Sequence, residues 1–266
     1  DLKVEAKNFT IREGFTTHGN AAVNLDRGLF RIDPFNLAGN TGGTAEAVIE
    51  LDARKSPAHL DVYIDFNNFV SPRTGGTLNS DFDVESEGDS IAALMGNLDG
   101  VIIGHLNDAD LEKTFLSKLG AGLLSQINPL SKDHTTLECG IVRFDITDGM
   151  AEFEDKLAIQ TTEVTWIGGG EINLKTEGIE MGIVSKARKA VSSLTDFGVA
   201  SFIKIDGTLA NPSISLDKSE LGKKSASYAA AVATGGLSYL AQKAYDNRQS
   251  NKDQCERILA ELKEKK

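Results

Sequence analysis

Along the first half of the chain, apolar and polar residues trade places at every second position. In LKVEAKNFTI (2–11), Leu2, Val4 and Ala6 alternate with Lys3, Glu5 and Lys7, the period of a strand with one buried face. Residues 19–32 read as two strands joined at Asp26-Arg27-Gly28, a hairpin signal. Pro34 is expected to restart the chain, and Asn40 with Gly42-Gly43 to turn it before a strand over TAEAVIELD (44–52). The clearest alternation lies over 59–67. Leu60, Val62, Ile64 and Phe66 share one face, and His59, Asp61, Tyr63, Asp65 and Asn67 the other. A slip of one residue would expose the whole apolar set, so this register is firmly specified. Past Pro72 and Gly75-Gly76 the pattern repeats over 77–86, with Leu78, Phe82 and Val84 opposite Asn79, Asp81, Asp83 and Glu85.

The period then changes. Asp89-Ser90 is expected to cap a short helix over Ile91, Ala92, Leu94 and Met95, closed by Gly96. A strand follows over 98–106. Asn107 or Asp108 then caps a longer helix, an insertion over about 107–128 with Leu111, Phe115, Leu119 and Leu123 on one stripe, ended by Pro129. Strand pattern returns with Val142, Phe144 and Ile146. Asp148-Gly149 is a tight turn, and Ala151, Phe153, Leu157 and Ile159 lie on the return strand. Val164, Trp166, Ile172 and Leu174 share a face unless Gly168–Gly170 bulges or bends the strand. Further strands run through Ile179–Ile183, 201–209 and the residues after Asn211-Pro212, while 185–200 is looser and possible helix. From about Asp217 the composition shifts to an Ala-rich helical stretch and a charged helical end. The expected organisation is a β domain over 1–216 with a helical tail over 217–266 packed on it.

About twelve short strands joined by tight turns, with no βαβ alternation, imply a mainly β fold built as an antiparallel meander. A sandwich, a closed barrel and a curved open sheet would each bury the apolar side. The last makes an amphipathic groove or half-barrel. Two readings of the apolar faces stay open: plain core packing, and the lining of a groove for acyl chains. The lipid-facing candidates are Leu60, Val62, Ile64, Phe66, Phe82, Val84, Phe144, Val164 and Trp166.

The 266 residues suffice for one large β domain or two small ones, and the net charge of −11 disfavours nucleic acid and anionic headgroups as direct partners. No apolar run of about 18 residues occurs. The chain opens at Asp1 directly on a strand pattern, as expected for a portion of a longer protein. Its two cysteines, Cys139 and Cys255, read either as separate buried thiols or as one disulfide tying the tail to the β body. The four histidines, His18, His59, His105 and His134, have no metal-ligand spacing. The carboxylate pairs Asp81/Asp83, Asp108/Asp110 and Glu152/Glu154 read as solvated strand faces rather than acid–base sites. No nucleophile, cofactor motif or metal set can be nominated, so an enzyme is not expected.

The order of several short motifs resembles the C-terminal region of the AsmA family of Gram-negative envelope proteins. NLDRGLFRIDPFNLAGNTGGTAEAVIELDARKSPAHLDVYIDF (24–66) is similar to that family's "dG-l-l-pl, gG-l-g, d-r-p" run, and GDSIAALMGNLDG (88–100) to its short helix before an "LnG" strand. LECGIVRFDITDGMAEFEDKLAIQTTEVTWIGGGEINLKTEGIEMGI (137–183) is the most specific segment, and IDGTLANPSISLD (205–217) resembles the closing "GTl-nP" strand. Residues 107–134 match poorly, and the family's N-terminal membrane anchor is absent from this stretch. The resemblance implies a role in outer-membrane biogenesis. It also implies a periplasmic location within an inner-membrane-anchored protein and a groove that binds or conducts phospholipid or another acyl-chain lipid. The oxidising periplasm then favours the Cys139–Cys255 disulfide. The alternative is a scaffold or regulatory domain for outer-membrane protein assembly, with outer-membrane proteins as partners.

Overall fold

Alternation of the kind seen over 59–67 builds strands, and strands dominate the described residues. The computed structural model of the chain describes residues 2–12, 15–39, 42–71, 74–112, 134–162, 164–187, 202–217 and 253–264. The strands are β1 (Leu2–Arg12), β2 (Phe15–Asp26), β3 (Leu29–Gly39), β4 (Thr44–Asp52), β5 (His59–Val70), β6 (Thr77–Glu87) and β7 (Asp99–Glu112). They continue as β8 (His134–Thr147), β9 (Met150–Glu152), β10 (Leu157–Thr161), β11 (Val164–Asn173), β12 (Gly178–Ala187), β13 (Phe202–Gly207) and β14 (Pro212–Asp217). Helix α1 (Ile91–Gly96) follows β6, and α2 (Gln254–Glu264) lies near the end of the chain. The fold is mainly β, and its strands pair antiparallel in a meander.

Contacts divide the chain into two units. The first comprises Asp1–Asn107, Arg143–Ala151 and Asn173–Thr176, and the second Asp108–Val142, Glu152–Ile172 and Glu177–Lys266. In the first, strands β1 to β7 neighbour one another in chain order. In the second the order is β8-β10-β11-β12-β13-β14, and β9 lies off this path.

Tight turns fall where the residue pairs demand them. Arg27-Gly28 and Asp148-Gly149 both take positive φ at each residue (45° and 91°, 49° and 71°), the requirement of a type I′ hairpin turn. A side chain at Gly149 would also strike the carbonyl of Gly96, at 2.5 Å from a Cβ. The short helix forms as expected, with Ser90 as its cap: the Ala93 N–H donates to Ser90 Oγ at 3.1 Å.

Several expectations are corrected. Pro34 does not restart the chain but lies within β3, next to a cis Asp33–Pro34 bond. A register shift between Ile32 and Phe35 lets the proline sit out of the hydrogen-bond ladder. Asn107 and Asp108 cap no helix: β7 runs on to Glu112, and Asp108 takes φ 50°, a left-handed value that Asp tolerates better than most residues. The rest of the expected helical insertion, 113–128, lies outside the described residues, as do 188–201 and 218–252. The return strand after Asp148-Gly149 is two short strands, β9 and β10, interrupted at Glu154-Asp155, where Asp155 has φ 53°. The Gly168–Gly170 run expected to bulge or bend the strand lies inside β11, which runs from Val164 to Asn173. Its glycines admit neighbouring backbone. A Cβ on Gly168 would lie 2.8 Å from the Gly182 carbonyl, and one on Gly169 would lie 2.8 Å from the Asp155 nitrogen.

Candidate apolar binding face

Register and alternation assemble one apolar face in the first unit. Across it, Ile32, Ile49, Val62 and Val84 stand opposite one another on β3 to β6. The next row holds Phe35, Ala47, Ile64, Phe82 and Ile102 on β3 to β7. Phe30, Leu51 and Leu60 form a row on one side, and Leu37, Ala45 and Phe66 a row on the other. Backbone pairing extends the register to β1, where Leu2, Val4 and Ala6 stand opposite Leu25, Val23 and Ala21.

This face is not packed away like a core. Leu60, Val62, Ile64, Phe66 and Phe82 are all half-buried, each with part of its side chain in solvent. So are Phe30, Ile32, Ile49, Leu51 and Ile102. Val84 is buried at 8% exposure. One end of the face is closed by a small cluster in which Leu37, Ala45 and Phe69 are buried with Phe35 and Phe66 against them. There Phe66 and Phe69 meet edge to face, with ring centroids 5.6 Å apart. Phe144, in the same unit, is half-buried on β8.

The second unit treats its candidates differently. Val164 and Trp166 are 3% and 4% exposed, and β11 is buried on both faces from Val164 to Gly169. They form packed wall, not accessible surface. The Trp166 indole N–H is buried without a hydrogen-bond acceptor among the described residues. Here α2 covers one sheet face. Cys255 and Ile258 pack on Cys139, Ile141 and Ala158, with Leu259 and Leu262 against them. Ala158, fully buried beside Ile141, is small enough for a helix to approach its strand. The Cys139–Cys255 disulfide closes the arrangement across 116 positions. Asp253 joins it by two routes. Its Oδ1 accepts the N–H groups of Cys255 and Glu256, capping α2, and its Oδ2 accepts from Gln160 Nε2 at 2.7 Å on β10.

The opposite face of the first unit is polar and rich in carboxylates. Glu50, Asp61, Glu85 and Asp99 stand in one cross-strand row, and Glu46, Asp65 and Asp81 in another. Arg31 of β3 bonds Glu50 at 2.7 Å and Asp33. The pairs Asp108/Asp110 and Glu152/Glu154 are exposed. A polar cleft of about 380 Å³ lies at the α1 end, lined by His59, Glu85, Ser86, Glu87, Asn97, Asp99 and Asp148. His59 Nδ1 lies 3.6 Å from Glu87 Oε1, and Asp99 Oδ1 accepts the Asp148 N–H at 2.9 Å, so this carboxylate serves the hairpin turn. Among the described residues no group of three or more His, Cys, Asp or Glu is placed to hold a metal. Burial pushes the His105 imidazole below its ordinary pKa, against a smaller opposing hydrogen bond with Asn107.

One carboxylate carries a pH signature. Asp52, buried at the end of β4, accepts from Arg54 Nε at 2.7 Å, Nη2 at 3.0 Å and the Arg54 backbone N–H at 3.1 Å. The Arg54 side-chain hydrogen bonds hold the carboxyl down at about 2, from an ordinary 3.8. A depressed folded-state pKa stabilises fully above the unfolded value, and the effect fades as pH falls through the folded value. Asp52→Asn should therefore melt earlier than the parent near neutral pH. The difference should close as pH falls from about 4 to about 2; a gap constant with pH in parallel melts would contradict this.

A meander with one half-exposed apolar face and one acidic face defines the class: an amphipathic antiparallel β-sheet protein. The chain is 23% identical over 247 residues to the AsmA family protein YhjG of Escherichia coli (strain K12), covering 88% of this chain and 35% of that protein. It thus spans about a third of the length of the curated relative it matches. This likeness supports the AsmA family and nothing narrower. No family profile and no solved structure matches the chain. Among the described residues no helix is long and apolar enough to cross a membrane.

Proposed function

We propose that the chain is a non-enzymatic lipid-handling module. Phospholipid or another acyl-chain lipid would lie along the apolar face of the first unit, the sheet curving into a groove or half-barrel. The observation that carries this reading is the half-exposed state of Leu60, Val62, Ile64, Phe66 and Phe82. A core would bury them. A surface that exchanges water for hydrocarbon leaves them accessible and gains ~0.8 kcal/mol per CH₂ it covers. The AsmA likeness supports a setting in the cell envelope. This chain would be the periplasmic part of a longer, inner-membrane-anchored protein, binding or conducting lipid between the inner and outer membranes in outer-membrane biogenesis. The Cys139–Cys255 disulfide suits an oxidising compartment.

Protein purified without added lipid should carry phospholipid, recovered by solvent extraction and seen as bound mass in native mass spectrometry. A photoactivatable fatty acid should label peptides of β5 and β6. A lipid-free extract with labelling scattered over the chain would defeat the proposal. It would favour the second reading, a scaffold or regulatory domain for outer-membrane protein assembly. That reading draws on Ile91 and Met95, which α1 leaves 81% and 38% exposed.

A further inference from the structure

The apolar face of the first unit holds almost nothing that can form a hydrogen bond. From β3 to β7 its paired positions are aliphatic, aromatic or glycine, apart from Ser80 and Ser86 on β6. Both serines are buried, and each has already donated its hydroxyl proton, leaving only shielded lone pairs. Ser80 Oγ donates to the Ile103 carbonyl at 2.8 Å, and Ser86 Oγ to the Leu94 carbonyl at 2.6 Å. The peptide groups of the inner strands are occupied by their ladders. A ligand on this face meets carbon.

We infer that the face selects its ligand by hydrocarbon chain alone: it takes unsubstituted acyl chains, is indifferent to headgroup, and discriminates against chains bearing a hydroxyl. This rests on the lipid-binding reading above. A hydroxyl carried onto the face gives up its water partners and finds no replacement, the costly case for a polar group. An extended polypeptide is rejected more strongly for the same reason, because each residue brings an N–H and a C=O. A headgroup has no polar side chain to engage on this face and stays in water, so exchanging it changes little. The carboxylates of Asp61, Asp83 and Glu85 stand on the opposite face. They act on a charged headgroup only at a distance, which salt screens.

The test is displacement of a polyene fatty acid, followed by its fluorescence, from the purified chain at an ionic strength that screens its charge. The competitors are lysophospholipids of one chain length with choline, ethanolamine or glycerol headgroups, and palmitic acid beside its mid-chain hydroxylated analogue, all below their micelle thresholds. The lysophospholipids should agree within about threefold, and the hydroxylated acid should bind roughly tenfold more weakly than its parent. A tenfold spread among headgroups, or equal binding of the two acids, would overturn the inference and leave lipid binding standing. If the polyene probe does not bind at all, the lipid-binding reading itself falls, and the two failures are told apart by that first titration.

Discussion

Replacing Cys139 and Cys255 together by alanine should shift the urea midpoint of the second unit far down, by a stability loss on the order of 5 kcal/mol. The chain-entropy relation gives that figure for a closure across 116 positions. Helix α2 explains why the loss should be visible as structure and not only as a number. It has 11 residues, too few to hold as a helix alone in water, so it depends on its contacts with β8 and β10. With the bond gone, the packing of Ile258, Leu259 and Leu262, the Asp253–Gln160 hydrogen bond and the Arg257 Nη2 bond to the Asp155 carbonyl at 3.4 Å hold α2 to the sheet. Amide exchange should therefore rise in α2 first and in β10 next, with β5 and β6 unchanged. An unshifted midpoint with α2 still protected would mean that the bond is dispensable and that packing alone fixes the helix.

Which of these features could be read in the residues depended on whether one strand or two had to be known. Alternation over 59–67 and 77–86 carried β5 and β6 because each strand has one apolar face and one polar face. Arg27-Gly28, Asp148-Gly149 and the Ser90 cap were legible because their chemistry is local. Pro34 and Asn107-Asp108 misled because both carry strong local signals that a strand also accommodates, Pro34 at a register shift and Asp108 at a positive φ. The even positions of β11 share a face, yet Thr165 and Ile167 between them are buried too. Periodicity of two says which residues share a side, not whether either side is covered. The disulfide could not be decided from two cysteines far apart in the chain. Ala158, the small residue that lets α2 approach, gave no signal until its partner was known.

Ile64→Asp should weaken acyl-chain binding on the order of 50-fold while leaving the chain folded. Ile64 sits mid-face, with Ala47 and Phe82 opposite it on the two flanking strands. A carboxylate there keeps its water and denies about three CH₂ groups their apolar contact, ~2.4 kcal/mol at 0.8 each, which is the stated factor. Folding loses less, roughly 1–2 kcal/mol, because the side chain is only half-buried to begin with. Phe66→Asp makes the instructive contrast. Phe66 packs on the Leu37, Ala45 and Phe69 cluster and meets the Phe69 ring, so its loss should cost stability as well as binding. Asp83→Asn, on the polar face opposite Tyr63, should change neither. Fluorescent fatty-acid titrations beside thermal melts of the three variants separate these effects. Wild-type affinity in a folded Ile64→Asp protein would remove this face from lipid binding altogether, because the change places a charge in its middle while sparing the cluster that closes one end.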